Sequence, residues 1–198
     1  MREIKGIEDQ IKTEWFDEHK ATITKYDSAT ILDWKKDGSS NYSVRYIFSG
    51  SNLYISGDIG GAIFNLTWKA TPESFDGVNL GYFLGKMSCH SRDRWYFDER
   101  KAKNDLREWC EEVSHGEDGK CLNEINKVRK KIIEIIESVS TPKELELRLF
   151  DYYETVSFDY IDADDFSVFS DFGKKLSNVF VAYLLGIKMA NEQLNVTL

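Results

Sequence analysis

The sequence predicts an α+β protein: an N-terminal helix on an antiparallel β-meander of about four to five strands, followed by a helical C-terminal part. Apolar residues follow a helical spacing at the N-terminus, alternate between positions 21 and 68, and return to a helical spacing after position 71. Short turns rich in glycine, serine and aspartate separate the alternating segments, which favours strands that pair in chain order. With 41% hydrophobic residues and two prolines, the composition is that of a globular protein rather than a disordered chain.

The first predicted element is a helix over residues 1–20. Its apolar residues follow steps of three and four: Ile4, Ile7, Ile11 and Trp15. This spacing forms one stripe along the helix, which we expect to be buried against the sheet that follows.

Strict alternation predicts half-buried antiparallel strands in the next part of the chain. One face of these strands is formed by Thr30, Leu32 and Trp34, by Tyr42, Val44, Tyr46 and Phe48, and by Ala62, Phe64, Leu66 and Trp68. The glycine-rich segment 57–61 is interpreted as a hairpin turn, because its spacing matches neither the dinucleotide-binding pattern nor the P-loop.

Helical patterns dominate the remainder of the chain. A threonine followed by a proline marks a helix start at Thr71-Pro72, and a capping box does so at Thr141-Pro142-Lys143-Glu144. The other helices are predicted from apolar stripes. The predicted ranges are 72–86, 98–113, 121–139, a helix from 142 onwards, and 173–194.

A change of composition suggests where the chain divides into domains. The segment Ser114–Lys120 contains Gly116 and Gly119, and glycine is the residue most typical of a break between helices. We therefore predict an α+β domain over residues 1–118 and a helical part over residues 119–198.

The ends and cysteines of the chain indicate its compartment. The N-terminus lacks the apolar core of a signal peptide, and the longest apolar run, Val179–Ile187, is far shorter than a membrane span. Three scattered cysteines fit a reducing compartment better than a disulfide framework. We expect a cytoplasmic protein that does not bind membranes.

The net charge of −8 is concentrated in one segment. Residues 144–171 contain nine acidic residues against the single base Arg148, and the rest of the chain is neutral overall. Seven aromatic residues are interleaved with these acids. A charged segment is often only a solvated face, but this one combines flat rings with regularly placed negative charge, as nucleic acids do.

The sequence therefore predicts a surface that binds a basic protein, while direct DNA binding is not expected from a chain of this charge. The carboxylates would meet arginines and lysines, and the tyrosines would stack on the partner. The candidate partner-binding residues are Asp151, Tyr152, Tyr153, Glu154, Asp159, Tyr160, Asp162, Asp164 and Asp165.

Catalytic and metal-binding patterns are weaker, and we predict no cofactor. Cys89, Cys110, His115 and Cys121 are possible zinc ligands, although they lack the paired short steps of known zinc modules. Two further patterns resemble magnesium or calcium sites: Glu99-Arg100-Lys101 and Asp162-Ala163-Asp164-Asp165. The first alternative to an inhibitor is therefore a metal-dependent enzyme that acts on nucleic acid or nucleotides. The second is a structural or assembly adaptor of a phage or plasmid, which would present a large apolar contact surface insensitive to salt.

Several segments between Leu53 and Trp109 resemble those of a known group of proteins. They are Leu53-Tyr54-Ile55-Ser56-Gly57-Asp58-Ile59-Gly60, Ala62-Ile63-Phe64, Leu80-Gly81-Tyr82-Phe83 with Lys86 and Cys89, and Leu106 with Trp109. The group consists of small phage and mobile-element proteins, some of which act as anti-CRISPR inhibitors of type II effector nucleases. The resemblance implies a non-enzymatic inhibitor in the cytoplasm of a bacterial host. Its partner would be a CRISPR effector nuclease or the complex of that nuclease with guide RNA, which holds nucleic acid in positively charged channels.

Overall fold

A computed structural model describes residues 2–114 and 119–196 of the chain. The strands are β1 (His19–Lys25), β2 (Thr30–Lys36), β3 (Val44–Ser49), β4 (Asn52–Gly57), β5 (Ala62–Asn65), β6 (Met87–His90), β7 (Trp95–Phe97) and β8 (Lys174–Leu176). The helices are α1 (Arg2–Gln10), α2 (Leu80–Gly85), α3 (Glu99–Val113), α4 (Gly119–Ser138), α5 (Pro142–Thr155), α6 (Ala163–Phe169) and α7 (Asn178–Val196). The chain forms two compact units: unit 1 comprises residues 1–94 and 177–198, and unit 2 comprises residues 95–176.

The predicted α+β class is confirmed, with one correction to the sheet. Strands β1 to β6 form an antiparallel meander in chain order, so the described part of the chain has a six-stranded sheet rather than four to five strands. The additional strand is β6, which pairs with β5 through partners such as Ile63 and Cys89. Alternation could not reveal β6, because it is half-buried at Met87 and exposed at its other residues.

Helix α7 packs on β1, β2 and β3, and α1 packs against α7. The predicted arrangement, in which the N-terminal helix itself covers the sheet, therefore needs correction. The chain after α1 forms a π-helical turn, Ile11–Trp15, which leads into the buried Phe16. The Phe16 ring lies edge-on to Trp34, 5.9 Å away. The end of the N-terminal segment thus reaches the inner face of the sheet at Trp34.

Gly186 allows α7 to approach the sheet closely. A Cβ atom at this position would lie 2.3 Å from the hydroxyl oxygen of Tyr46 and 3.3 Å from the Trp34 ring. Tyr46 is completely buried, and burial raises the pKa of its hydroxyl well above the ordinary value. The side chain of Tyr46 therefore has little room to yield.

The predicted helix over residues 72–86 is interrupted. Pro72–Phe75 forms a short 3-10 helix, and α2 starts separately at Leu80. Each piece has its own N-terminal cap: Thr71 forms a capping box with Ser74, and Asn79 accepts a hydrogen bond of 2.9 Å from the backbone N–H of Tyr82. Two caps within one apolar pattern produce two short helices, because each cap stabilises a new helix start.

Unit 2 is a helical bundle in which α3 packs on α4, α4 on α5 and α5 on α6. Its core includes Leu106, Trp109, Val128, Ile132, Ile136, Leu145, Leu149 and Phe169. Strands β7 and β8 pair at the two chain ends of the unit. The helix predicted over 173–194 accordingly begins only at Asn178, because residues 174–176 belong to β8.

Asp98 links β8 to the start of α3. Its carboxylate accepts a 2.7 Å hydrogen bond from the backbone N–H of Lys101 and lies 2.9 Å from the ammonium of Lys175. The hydrogen bond from Lys175, followed by that from Lys101, lowers the pKa of Asp98 below its ordinary value of 3.8. The ionised form of Asp98 is therefore the one that stabilises unit 2.

The two units differ from the predicted division into residues 1–118 and 119–198. Helices α3 and α4 stand on opposite sides of that boundary, yet their apolar stripes share one core, while α7 belongs to unit 1. Glycines mark a turn between packed helices as readily as a linker between domains. Residues 115–118 of the predicted seam lie outside the described residues.

Replacing Gly186 with alanine is expected to lower the free energy of unfolding by about 1–3 kcal/mol, because the added methyl group overpacks the contact with Tyr46. The change Tyr46→Phe removes the hydroxyl that the methyl group meets, so the double variant should recover most of the loss. Urea unfolding measures all three variants. Gly85→Ala, where nothing lies within 4 Å of the added Cβ, is the matched control. If the losses in unfolding free energy of Gly186→Ala and Tyr46→Phe simply add in the double variant, the contact with the Tyr46 hydroxyl is not the cause of the destabilisation.

Asp98→Ala is expected to lower the free energy of unfolding by about 0.5–2 kcal/mol at neutral pH, because α3 loses its cap. Since the pKa of Asp98 is lowered in the folded protein, its contribution is complete above about pH 4 and is lost as the pH falls through the folded pKa. The difference between wild type and variant should therefore shrink in acid. Asp98→Asn keeps the cap without the charge, and it should retain stability at neutral pH better than Asp98→Ala. A difference that is constant down to pH 2 would be the contrary result.

Candidate partner-binding surface

Helix α5 positions the first of the candidate residues, and its start is determined by the predicted capping box. The Thr141 hydroxyl accepts a 3.1 Å hydrogen bond from the backbone N–H of Glu144, whose carboxylate accepts one of 3.2 Å from the N–H of Thr141. Pro142 occupies the first turn. From this start, Leu145 and Leu149 are directed into the core of unit 2.

A groove runs along each side of α5. The α4–α5 groove, of about 420 Å³, is lined by Lys131, Glu134, Ile135, Ser138, Arg148, Asp151, Tyr152 and Thr155. The α5–α6 groove, of about 340 Å³, is lined by Glu146, Leu147, Leu149, Phe150, Tyr153, Glu154, Ala163, Phe166, Ser167 and Ser170. The candidate residues on α5 are therefore divided: Asp151 and Tyr152 belong to the first groove, and Tyr153 and Glu154 to the second.

Glu124 on α4 anchors the segment that follows α5. Its carboxylate accepts three backbone hydrogen bonds, from Asp159 at 3.1 Å, from Tyr160 at 2.9 Å and from Ile161 at 3.2 Å. A carboxylate that accepts several N–H bonds forms strong, charge-assisted contacts. Glu124 therefore attaches the backbone of residues 159–161 to the bundle, and this backbone carries the exposed side chains of Asp159 and Tyr160.

The four-residue acidic motif starts α6 instead of forming a calcium loop. The Asp162 carboxylate accepts hydrogen bonds from the backbone N–H groups of Asp164 and Asp165, at 2.8 and 3.2 Å. In return, Asp165 accepts a 3.1 Å bond from the N–H of Asp162. This capping box gives Asp162 and Asp165 a structural role and leaves Asp164 as an exposed acid in the first turn.

Most of the interleaved aromatic rings pack on one another. Tyr153 stacks on Phe158 with 6.0 Å between ring centroids, and Tyr152 meets Phe158 edge-on at 5.6 Å. Phe166 lies 4.9 Å from Tyr153. Burial raises the pKa of the Tyr152 hydroxyl above its ordinary value. Of the three candidate tyrosines, Tyr152 and Tyr153 are thus half-buried, and only Tyr160 is well exposed.

Four of the candidate acids are exposed, have no ion pair in the described part of the chain and use their carboxylates in no capping box: Asp151, Glu154, Asp159 and Asp164. Two neighbouring acids, by contrast, are paired. Glu146 lies 3.1 Å from Lys143 and Asp171 lies 2.5 Å from Lys174. The unpaired carboxylates are available to bind cations, whereas the paired ones are partly neutralised.

The charge of the protein is concentrated in unit 2. Residues 95–176 contain 20 Asp and Glu against 13 Lys and Arg, a net charge of −7, whereas unit 1 carries −1. A net charge of this size in a small unit attracts cationic partners over distances longer than a direct contact.

Two exposed apolar residues of α5 were not predicted as functional. Leu147 is 53% exposed and Phe150 is 61% exposed, and both line the α5–α6 groove. The signal in the sequence is the run Leu145, Leu147, Leu149, Phe150, which is too dense for a helix with a single apolar face.

The possible metal ligands are distributed over the chain. Cys89 is exposed on β6 in unit 1, while Cys110 and Cys121 belong to unit 2, and His115 lies outside the described residues. Burial raises the pKa of the Cys110 thiol. Glu99 and Lys101 lie in the first turn of α3 and pair with Lys103 and Asp105, at 2.7 and 2.6 Å. Within residues 2–114 and 119–196, no group of three or more His, Cys, Asp or Glu is arranged to hold a metal ion.

Comparisons with known proteins found no matching family model, no matching curated protein and no matching solved structure. Among the described helices, none has both the length and the apolar composition needed to span a membrane. What the surface of unit 2 binds is therefore inferred from its own charge and geometry.

Removing the Glu124 carboxylate by Glu124→Ala is expected to lower the free energy of unfolding by about 1–3 kcal/mol, because three N–H groups lose a charged acceptor. Amide hydrogen exchange at residues 159–161 should accelerate, while Glu124→Gln, which keeps one oxygen, should be intermediate. Glu134→Ala is the matched control on the same helix. Among the described residues the one ion pair of Glu134 is with the exposed Lys131, so this substitution should cost under about 0.5 kcal/mol. Unchanged exchange at residues 159–161 in Glu124→Ala would show that the segment is held by other contacts.

Proposed function

We propose that this protein is a non-enzymatic phage or mobile-element inhibitor that binds a CRISPR effector nuclease through the acidic surface of unit 2. The observation that carries the proposal is the set of exposed, unpaired carboxylates Asp151, Glu154, Asp159 and Asp164 in a unit with a net charge of −7. The resemblance of the segments between Leu53 and Trp109 to anti-CRISPR proteins supports the choice of partner.

The physical basis is competition for a polyanion site. An RNA-guided nuclease holds its guide and target in channels lined by lysine and arginine. Carboxylates carried on a folded surface satisfy the same cationic side chains and release the same counterions as phosphates do. Binding of this kind accelerates association and weakens as the salt concentration rises.

Fewer aromatic rings contact the partner in this proposal than the sequence predicted. Tyr152 and Tyr153 use their rings within the cluster around Phe158 and Phe166, so stacking on the partner is assigned to Tyr160. Asp162 and Asp165 contribute charge, but their main role is to start α6. The interaction therefore depends on the carboxylates more than on the rings.

Charge reversal tests the proposal. The variant Asp151→Lys, Asp159→Lys, Asp164→Lys changes three exposed acids whose side chains take no part in a capping box, and it leaves Glu154 for a separate test. The control variant Asp9→Lys, Asp27→Lys, Asp93→Lys changes three exposed, unpaired acids of unit 1 by the same total charge. Binding to a type II effector nuclease loaded with guide RNA is measured by surface plasmon resonance between about 0.1 M and 1 M salt.

The unit 2 variant is expected to bind at least about tenfold more weakly than wild type, chiefly through slower association, and the unit 1 control should bind as wild type does. Circular dichroism verifies that both variants are folded. Equal binding by wild type and the unit 2 variant, or equal losses in the two variants, would refute binding through this surface.

A further inference from the structure

Helix α5 carries apolar side chains on two faces. Leu145 and Leu149 are buried in unit 2, whereas Leu147 and Phe150 project into the α5–α6 groove and stay more than half exposed. A helix with this pattern is normally covered on both faces. Nothing in the described part of the chain covers the second face, where Leu147 and Phe150 remain 53% and 61% exposed.

The walls of the α5–α6 groove suit one kind of ligand. Tyr153 and the buried Phe166 provide apolar and aromatic surface, and the small residues Ala163 and Ser167 of α6 leave room beside them. Both walls are helices, so the groove offers no unpaired strand edge to an extended peptide. A groove between two helices with large apolar residues is typical of sites that receive a third helix.

The acidic residues at the edges of the groove indicate that its ligand carries positive charge. Glu154 is exposed and has no cationic partner among the residues that the structure describes. Within the described ranges Glu146 pairs with Lys143 alone, and both side chains are more than half exposed, so this ion pair is weak and easily exchanged. Lysine or arginine side chains that flank an apolar stripe would meet both carboxylates.

We infer that the α5–α6 groove is a docking site for an amphipathic helix of the partner protein, with lysine or arginine beside its apolar stripe. The inference rests on the proposed function and deepens it, since it names the element of the nuclease that the acidic surface receives. One or two apolar side chains of that helix occupy the groove beside Phe150, and its basic residues contact Glu146 and Glu154. Charge then brings the partner close, and apolar burial in the groove slows its dissociation.

The test uses the full chain and a display library of 20-residue helical peptides as the probe. Peptides are selected on the wild-type protein and measured by fluorescence anisotropy on Leu147→Ser/Phe150→Ser. Val168→Ser is the control, because Val168 is an exposed apolar residue of α6 that does not line the groove. A second pair compares Glu154→Lys with Glu108→Lys, which reverses an exposed acid on α3.

The selected peptides are expected to have apolar residues at steps of three and four with lysine or arginine beside them. Their affinity should fall about tenfold or more on Leu147→Ser/Phe150→Ser and on Glu154→Lys, and should be unchanged on both controls. Because Leu147 and Phe150 are exposed, their replacement should leave the thermal unfolding temperature unchanged. Selection of no peptides, of peptides without basic residues, or of peptides that bind Leu147→Ser/Phe150→Ser normally would overturn the inference. Self-association of the protein that Leu147→Ser/Phe150→Ser abolishes would also overturn it, in favour of a second copy of the chain.

Binding to the guide-loaded nuclease separates this inference from the proposed function. If reversal of Asp151, Asp159 and Asp164 weakens that binding and Leu147→Ser/Phe150→Ser does not, the acidic surface acts alone and the groove is not a docking site. If neither variant changes binding, both proposals are wrong. Loss of binding in both variants, with residual affinity at high salt only when the groove is intact, is the result expected here.

Discussion

The burial of α7 is the constraint on which the organisation of this protein depends. The helix is apolar around most of its circumference, so it is stable only when enclosed by other elements. In unit 1 it packs against α1, the short helix Pro72–Phe75, α2 and strands β1 to β3, and Gly186 lies against Tyr46. Because the last helix completes a core begun by the first strands, residues 95–176 are inserted between two parts of one unit. A hydrogen bond of 2.9 Å between Ser177 and Arg94 joins the points where the chain leaves unit 1 and returns to it.

Residues 95–176, the insertion, form a core of their own and also carry most of the net charge. The stretch from Glu144 to Asp171 uses most of its rings for packing and three of its acids, Glu144, Asp162 and Asp165, for capping boxes, so a part of its unusual composition is structural. Glu146 and Asp171 form ion pairs with Lys143 and Lys174, whereas Asp151, Glu154, Asp159 and Asp164 form no ion pair within the described part of the chain. A charge that the fold does not use is the property expected of a surface that meets a partner.

Charge and apolar area lie side by side on α5. Glu154 and Phe150 line the same groove, so one ligand can contact both. Protein interfaces commonly combine an apolar centre with a charged rim, because burial of the centre supplies affinity and the rim supplies orientation and speed of association. A surface that mimics nucleic acid would need exposed rings, whereas Tyr152 and Tyr153 are half-buried and the exposed apolar side chains of α5 are Leu147 and Phe150.

Local patterns in the sequence determined the α+β class, the alternating strands, the capping box at Thr141 and the acidic character of residues 144–171. Each of these depends on residues close together in the chain, whose spacing decides backbone geometry and local charge. The edge strand β6, the separation of residues 72–86 into two helices, the enclosure of α7 in unit 1 and the anchoring of residues 159–161 by Glu124 were decided only by the tertiary structure. The first, third and fourth of these features are stabilised by residues far away in the sequence. In the second, two helix caps compete with one continuous apolar pattern of similar strength. For the same reason, the sequence could not show that Leu147 and Phe150 are exposed, because this depends on which face of α5 the other helices bury. The sequence shows that a residue is apolar, and only the tertiary structure shows whether other residues cover it.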